Sequence, residues 1–280
     1  GASNHVVGSD GVDHGKIGNG LFRFRPDGTD IEMVVSYGSN TWGCDFTWDG
    51  ELFFTMANGS HLRHVILPDR VMQRGRVGNT PSWKDVTDHT KAFPTVNHDR
   101  NPYVQIDFVG GFTGAAGSLI YDGGAWPQEY WGDHFVTEPT INLVHRDHLE
   151  PRGATFVASR YREKEFLGSY DLWFRPVHLR TGPDGAMYVL DFYNQAAVHN
   201  DTRGPQHGPT NAALRPDRDR HHGRILRVQH SAARDLSVTV GSDPATLVAD
   251  LARPNRWARM TAQRLMCEAK SLPAGVLAQL

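Results

Sequence analysis

Residues 171–194 constrain the fold most strongly, because they contain a complete strand–turn–strand unit. The centre is Pro183-Asp184-Gly185, in which proline presets φ, and aspartate and glycine tolerate the positive φ that follows. Apolar and polar residues alternate on both sides of this turn: Val177, His178, Leu179 and Arg180 before it, and Met187, Tyr188, Val189 and Leu190 after it. Alternation with a period of two around such a turn indicates a β-hairpin of the kind found in β-propeller blades.

Weaker copies of this unit recur along the chain, at residues 21–28, 45–55, 132–146 and 223–228. Short strands that repeat every few tens of residues favour an all-β fold, and specifically a β-propeller. Their spacing is irregular, so long loops must separate the blades. A β-sandwich with Asp-Gly hairpins is the alternative interpretation.

The chain divides into three regions: a propeller over residues 1–230, a linker over 231–243 and the start of a helical array over 244–280. Asp243 followed by Pro244 is a signal for the start of a helix, and residues 253–255 (Arg-Pro-Asn) break that helix. The second helix carries apolar residues that we expect on its buried face: Trp257, Met260, Leu265, Cys267 and Ala269. Two short helices with a tight break are typical of HEAT-type repeats, which bury their apolar faces against further repeats.

Composition excludes some classes of function. The net charge of −2 and the isoelectric point of about 6.8 give no electrostatic basis for binding nucleic acid. No apolar run reaches membrane-spanning length. Cys44 and Cys267 form no Cys-x-x-Cys pair, and we expect both to be buried and free. The chain opens on Gly1 without an initiator methionine and stops within a pattern at Leu280, so we expect a fragment of a longer protein.

Several segments together resemble one known family: residues 42–46 (Trp-Gly-Cys-Asp-Phe), 62–70, 120–132, 166–194 and 218–228. They are similar to the membrane-bound dehydrogenases of planctomycetes and verrucomicrobia. In that family a glucose/sorbosone dehydrogenase-like propeller precedes HEAT-like repeats and a c-type cytochrome domain. The resemblance covers nearly the whole chain, but the haem-attachment motif is absent and the first blades of the propeller are missing.

The resemblance implies a quinoprotein-like module that oxidises a sugar or polyol in the periplasm or cell envelope and passes electrons to the downstream cytochrome. Soluble relatives hold Ca²⁺ and pyrroloquinoline quinone in the mouth of the propeller, where a histidine acts as base and an arginine holds the quinone oxygens. It therefore implies these two cofactors, with haem c only in the missing part of the parent protein. None of the family's site residues can be matched one by one to this sequence.

Two other functions stay open, since propellers support many activities. The first is a non-catalytic propeller that binds carbohydrate or a protein partner, and it should expose aromatic side chains. The second is a Ca²⁺-dependent lactonase-like hydrolase, which needs a ring of carboxylate and amide oxygens around the ion. A dehydrogenase instead needs a histidine base, a cation site and a flat apolar slot.

Arg175 is a candidate catalytic and cofactor-binding residue, because its planar guanidinium can clamp an anion or a quinone. The alternative is a salt bridge between blades, with Asp171 or Asp191. Tyr193 is the second cofactor-binding candidate.

Asp191, Glu138 and Asn58 each follow a strand, and strand ends from successive blades converge on a propeller axis. With Asn194 they are candidate Ca²⁺ ligands, since hard cations prefer oxygen. The alternative is that these residues cap turns.

His199 and His207 are candidates for the catalytic base, because they lie in a long polar loop near residues 200–222. The alternative for each is a solvated loop histidine. His221 and His222 are adjacent before a strand, so they point to opposite faces and are poor joint ligands for one metal ion.

Overall fold

The computed structural model describes residues 4–75, 78, 80–96, 110–194, 219, 221–236, 239–269, 271 and 273–278. In these residues the chain is mainly β-structure with few short helices, which confirms the all-β prediction. Two hairpins come first: β1 (Asn4–Val7) with β2 (Asp13–Ile17), and β3 (Gly20–Arg23) with β4 (Glu32–Ser36).

Three larger antiparallel sheets follow, and within each the strands pair in chain order. The third sheet contains β5 (Thr41–Phe46), β6 (Leu52–Met56), β7 (Arg63–Val65) and β8 (Trp83–Asp85). The fourth contains β9 (Ser118–Ile120), β10 (His134–Glu138), β11 (Leu143–Arg152) and β12 (Thr155–Arg160), and β13 (Leu167–Gly168) pairs with β11. The fifth contains β14 (Pro176–Thr181), β15 (Met187–Asp191) and β16 (Arg224–Val228).

The hairpin predicted at residues 171–194 is confirmed as β14 and β15. Thr181 pairs with Met187 across the turn, where Gly185 has a φ of 73°. The predicted alternation holds for Leu179, Met187 and Val189, which are fully buried. It fails at Val177, which is 37 % exposed, because the pairing register shifts between Pro176 and His178. The hairpins predicted near residues 45–55 and 132–146 are confirmed as β5–β6 and β10–β11.

The first strands of the three larger sheets lie side by side: β5 contacts β9, and β9 contacts β14. Two glycines allow this close approach. A Cβ on Gly43 would lie 2.3 Å from the Ala116 carbonyl oxygen, and one on Gly117 would lie 2.5 Å from the His178 Cα. The described sheets do not form a closed propeller ring.

The largest core cluster joins the fourth and fifth sheets, with residues such as Phe135 and Val144 on one side and Leu179 and Met187 on the other. Burying each such side chain stabilises the fold by about 1.5–3 kcal/mol. The cluster therefore fixes the position of β14 and β15 relative to β10 and β11.

The helices are α1 (Asp69–Arg74), α2 (Pro244–Asp250), α3 (Arg256–Glu268) and α4 (Ala274–Leu277). The predicted start of α2 is confirmed, since the Asp243 side chain accepts a hydrogen bond from the Ala245 N–H at 3.1 Å. The α3 helix also starts after its predicted break, where the Asn255 side chain accepts from the Trp257 N–H at 2.7 Å.

The predicted buried face of α3 is wrong in part. Met260 is 52 % exposed, and the buried residues are Ala258, Ala262 and Met266. These lie four residues apart on one face, and the two alanines let α3 approach α2 closely. The prediction that both cysteines are buried is also wrong, because Cys44 and Cys267 are exposed and free.

The helical segment packs directly on the sheets. The Arg256 N–H donates to the Asp122 carbonyl oxygen at 2.9 Å, and the Arg256 guanidinium lies 2.9 Å from Asp45. The Asn255 amide donates to the Pro183 carbonyl oxygen at 2.7 Å, in the turn between β14 and β15. None of the helices within the described ranges is long and apolar enough to cross a membrane.

Candidate functional site

The strand ends of the fourth and fifth sheets converge on Arg175, which is 1 % exposed. Its guanidinium donates to the carbonyl oxygens of Pro139 and Thr140 after β10, at 3.0 and 3.1 Å, and to that of Asn194 after β15, at 3.1 Å. Burial lowers the pKa of Arg175 to about 10. Arg175 therefore links loops that follow strands in two successive sheets.

Asp191 lies at the end of β15 with both carboxylate oxygens occupied. Oδ1 accepts hydrogen bonds from the N–H groups of Arg175 and Tyr193, at 2.7 and 2.9 Å. Oδ2 lies 2.7 Å from Nη2 of Arg224. The bond to the N–H two residues later is the turn cap that was the alternative for Asp191.

Glu138 is fully buried at the end of β10. Its Oε2 accepts from the N–H groups of Thr113 and Gly114 at 2.9 and 2.7 Å, and its Oε1 accepts from the N–H and the hydroxyl of Thr140. Burial raises the pKa of Glu138, and the donors oppose that rise. Glu138 thus organises the loops around it.

Asn58 is exposed in the loop after β6, and neighbouring backbone groups connect this loop to the Glu138 site. The Gly59 N–H donates to the Phe112 carbonyl oxygen, and the Ala115 N–H donates to that of Ala57. Three candidate ligands therefore lie in neighbouring segments: Asn58 in the loop after β6, Glu138 at the end of β10 and Asp191 at the end of β15.

These residues, as arranged, do not fit a Ca²⁺ site. Ca²⁺ takes six to eight oxygen ligands, but the oxygens of Glu138 and Asp191 already accept bonds from protein donors. Arg224 also neutralises Asp191 at the place where a cation would bind. The contacts favour a structural role for both carboxylates.

A groove of about 440 Å³ lies over the end of β15. Its lining includes the predicted residues Asp191 and Asn194 together with apolar and polar neighbours: Val177, Leu190, Phe192, His221, His222, Gly223, Arg224 and Ile225. Tyr193 has a φ of 44°, and the Arg224 guanidinium stacks 3.6 Å from the centre of its ring.

A histidine–carboxylate pair stands at the rim of this groove. Nε2 of His222 lies 3.3 Å from Oδ2 of Asp219, and the His222 side chain is 58 % exposed. The predicted bases His199 and His207 lie outside the described residues, so the rim histidines are the ones that the structure places at the groove.

A second polar centre was not predicted from the sequence. Four histidines and two carboxylates meet between the third and fourth sheets: His61, His89, His134, His145, Asp147 and Glu165. Ligand atoms of His61, His89, His145 and Asp147 all lie within 4.8 Å of one another. The one sequence signal is His145-Arg-Asp147, which places two polar side chains on the same face of β11.

Electrostatics differ sharply within this centre. Burial lowers the pKa of His61 to about 4. Burial also acts to lower the pKa of His145, but Asp147 and Glu165 raise it to about 9. Burial acts to raise the pKa of Asp147, yet His145 and His61 hold it well below its ordinary value. Asp147 is therefore a buried carboxylate that requires positive charge beside it.

A third feature is a cavity of about 610 Å³ between the turns of the sheets and the helical segment. Trp48 and Trp131 line it and are 82 % and 37 % exposed. Asp122 and Arg259 form an ion pair in the same lining. Exposed indole rings beside polar groups are suited to contact with an amphipathic ligand.

The fold and these sites define a mainly β chain of sequential antiparallel sheets with polar centres at its strand ends. The chain belongs to the family described as a domain of unknown function, DUF7133, whose model matches residues 1–232. No curated protein matches the sequence.

Three solved structures have partial similarity to the chain. Two are named glucose dehydrogenase, at 18 % and 20 % identity and TM-scores of 0.38 and 0.37; each match covers 74 % of this chain, and 45 % and 49 % of the respective solved chains. The third, an oxidoreductase (glucose dehydrogenase) from Thermus thermophilus, has 17 % identity, a TM-score of 0.31 and coverage of 57 % and 39 %. The chain spans about half the length of the first two. At these TM-scores the similarity carries no argument about the reaction.

Proposed function

We propose that this chain is part of an oxidoreductase that acts on the CH–OH group of a sugar or polyol. The support is the sequence resemblance, which extends over nearly the whole chain and includes the β14–β15 hairpin. The proposal includes the electron path that this resemblance implies, from the substrate to a c-type cytochrome elsewhere in a longer periplasmic or envelope protein.

The proposal treats the three larger sheets as blades of a partial propeller and the α2–α3 pair as the start of HEAT-like repeats. The support is that each larger sheet is a meander in chain order and that β5, β9 and β14 lie side by side. First strands of successive blades meet in this way around a propeller axis.

One observation carries the functional proposal: the groove over β15 combines an apolar floor, a paired histidine and a fixed arginine. Ile225 is 70 % exposed in the groove, and Arg224 is held by Asp191 and stacked on Tyr193. A polyol presents both CH and OH groups, so it matches such a mixed surface.

In this proposal His222 acts as the base that removes the hydroxyl proton, and Asp219 orients its ring. Arg224 donates to the substrate oxygens. Pyrroloquinoline quinone, implied by the resemblance, would supply the hydride acceptor. Glu138 and Asp191 do not fit the Ca²⁺ ion that accompanies the quinone, so we assign the groove to the substrate. The lactonase-like alternative also needs Ca²⁺, and we therefore do not propose it.

The test is a dye-linked oxidation assay of the full chain with a panel of sugars and polyols, with Ca²⁺ and the quinone added. Replacement of His222 by alanine should lower kcat about 100-fold or more with little change in KM, because a general base contributes about 10²–10⁴-fold.

A matched control is His5→Ala. His5, in β1, is 57 % exposed and lies 3.3 Å from Asp13, so it matches the exposure and the carboxylate pairing of His222 away from the groove. Equal loss in both variants, or no oxidation of any substrate by folded protein, would refute the proposal.

The second candidate function is carbohydrate binding without catalysis, in the cavity beside Trp48. The observation that favours it is that the indole of Trp48 is 82 % exposed and lines this cavity. Titration with oligosaccharides should quench tryptophan fluorescence in the wild type but not in Trp48→Ala. Trp42→Ala is the control, because Trp42 is 67 % exposed and is not among the lining residues. Unchanged quenching in Trp48→Ala would exclude this site.

A further inference from the structure

The histidine centre lies where two sheets face each other, away from the groove over β15. His61 follows β6, and His89 follows β8, so both belong to the third sheet and its connections. His145 and Asp147 lie on β11 of the fourth sheet. The side chains of His61, His145 and Asp147 are at most 1 % exposed. So many buried polar groups destabilise the folded state unless each of them is hydrogen-bonded or binds an ion.

The inner atoms of the centre are close enough to share one ion. Nε2 of His89 lies 3.0 Å from Nε2 of His145, and Oδ1 of Asp147 lies 3.0 Å from the His145 atom and 3.4 Å from the His89 atom. Ligands bound about 2.0–2.1 Å from a tetrahedral Zn²⁺ lie about 3.3–3.4 Å apart. Expansion by a few tenths of an ångström would therefore bring the three atoms to the spacing of a coordination shell.

The outer nitrogens of the same two imidazoles contact carboxylates. Nδ1 of His145 lies 2.5 Å from Glu165, and Nδ1 of His89 lies 2.6 Å from Asp88. Glu165 is itself held by the Phe93 N–H at 2.8 Å. Metal-binding histidines almost always donate their outer N–H to a carboxylate, a carbonyl or water, which directs the inner lone pair at the metal.

This pairing leaves the two inner nitrogens without a donor, and a bound cation would satisfy them. When Nδ1 of His89 and of His145 each donate a proton outward, both Nε2 atoms are acceptors. Two acceptors and the Asp147 carboxylate then face one another at 3.0–3.4 Å. Either an added proton or a metal ion must lie among them.

His61 adds an independent observation. Nε2 of His61 lies 2.7 Å from Oδ2 of Asp147, while its buried Nδ1 has no hydrogen-bond partner within the described parts of the chain. His61 is fully buried, and its ring lies tilted against that of Phe112 with the ring centroids 4.0 Å apart. Nε2 is the nitrogen of His61 that faces Asp147, so it is the atom that can bind an ion in the centre.

We propose that His61, His89, His145 and Asp147 bind one divalent transition-metal ion of the Zn²⁺ class, which joins the third sheet to the fourth. Three imidazoles and one carboxylate suit Zn²⁺ and its neighbours rather than Ca²⁺, which prefers oxygen. His89, 14 % exposed, is the least buried of the four and gives the ion its route of entry.

The experiment uses the full 280-residue chain, stripped with a chelator and titrated with Co²⁺. Co²⁺ substitutes for Zn²⁺ and reports tetrahedral coordination through visible absorption bands. We expect one equivalent to bind, with bands that Zn²⁺ abolishes by competition. Zn²⁺ should also raise the thermal midpoint, because a ligand that binds only the folded state stabilises it.

Two variants and one control locate the ion. His89→Ala removes the most exposed ligand, and Asp147→Asn preserves the shape of the side chain. Each should weaken Co²⁺ binding at least tenfold, because even the loss of a residue that only supports a ligand costs about 10–100-fold in metal affinity. His64→Gln is the control, because His64 is 1 % exposed and lies 2.7 Å from Glu51, outside the centre. It should bind Co²⁺ like the wild type.

Folded wild-type chain that develops no Co²⁺ bands and gains no thermal stability from Zn²⁺ would overturn the proposal. Bands of equal strength in folded His89→Ala would do the same. If Asp147→Asn does not fold, His89→Ala alone decides, since circular dichroism verifies its fold. None of these measurements involves oxidation of a sugar, so their outcome is separate from that of the proposed function.

Discussion

Gly117 controls the contact between the fourth and fifth sheets. A Cβ at this position would lie 2.5 Å from the His178 Cα and 3.0 Å from the Leu179 nitrogen, both backbone atoms that no rotamer change can move. The Gly117 N–H also donates to the Thr137 hydroxyl at 2.7 Å, which holds the segment before β9 in place. The residue is thus fixed on one side and crowded on the other.

Replacement of Gly117 by alanine should lower the free energy of unfolding by about 1–3 kcal/mol, because an overpacked methyl group must displace β14. Urea denaturation followed by circular dichroism measures this loss. Gly18→Ala is the control, since no atom lies within 4 Å of the added Cβ; it should change stability by less than about 0.5 kcal/mol. Similar losses in both variants would contradict the packing argument.

His178 gives the fold a dependence on pH. Burial lowers its pKa, and Arg180 lowers it further. The unfolded chain therefore takes up a proton near pH 6.5 while the folded chain does not. The contribution of His178 is fully present above that pH and is lost as the pH falls through 6.5 toward the lower folded pKa.

The expected result is that His178→Gln loses less thermal stability than the wild type between about pH 7 and about pH 5. The quantity compared is the change in the thermal midpoint between the two pH values, so the contributions of other titrating groups are the same in both proteins and cancel. An identical loss in the two proteins would show that His178 does not titrate differently on folding.

At the scale of elements, local signals specified the hairpins and helix starts. Pro183-Asp184-Gly185 fixed the β14–β15 turn, and Asp243-Pro244 fixed the start of α2. The buried face of α3 was mispredicted at Met260, because the sequence of a helix does not show which side its neighbours cover. Ala262, which carries little apolar signal, is fully buried there.

The two helix caps should differ in their contribution to stability. Asp243 is exposed, and among the described residues its side chain contacts only the Ala245 N–H that it caps, so Asp243→Ala should cost about 1 kcal/mol. Asn255 is 3 % exposed, and it caps α3 while donating to carbonyl oxygens in the β14–β15 turn. Asn255→Ala should therefore cost about 2–3 kcal/mol, since it also removes the hydrogen bond to the partly buried Pro183 carbonyl oxygen. Urea unfolding of both variants tests this order, and equal costs would contradict it.

At the scale of the whole molecule, the polar centres depend on contacts that no local pattern shows. The alternative for Arg175 in the sequence analysis was a salt bridge with Asp171 or Asp191. The 2.7 Å contact with Asp191 comes instead from the Arg175 backbone N–H, while the guanidinium donates to carbonyl oxygens. The histidine centre was missed because His61, His89 and His145 come from separate segments. Only the packing of the third sheet against the fourth brings them together, so topology had to be known first.

The helical segment is attached to the sheets by a partly buried ion pair. Asp122, 17 % exposed after β9, forms an ion pair with Arg259 of α3, which is 25 % exposed. A double-mutant cycle of Asp122→Ala and Arg259→Ala should give a coupling energy of about 1 kcal/mol, because partial burial reduces solvent screening. The exposed Arg264–Glu268 pair lies within α3 alone, at 59 % and 58 % exposure, and its cycle should give about 0.3–0.5 kcal/mol. Coupling between Asp122 and Arg259 that is no larger than this control would mean that the helices do not dock on the sheets in solution. A clear excess would show that α3 contacts the sheets in the folded protein.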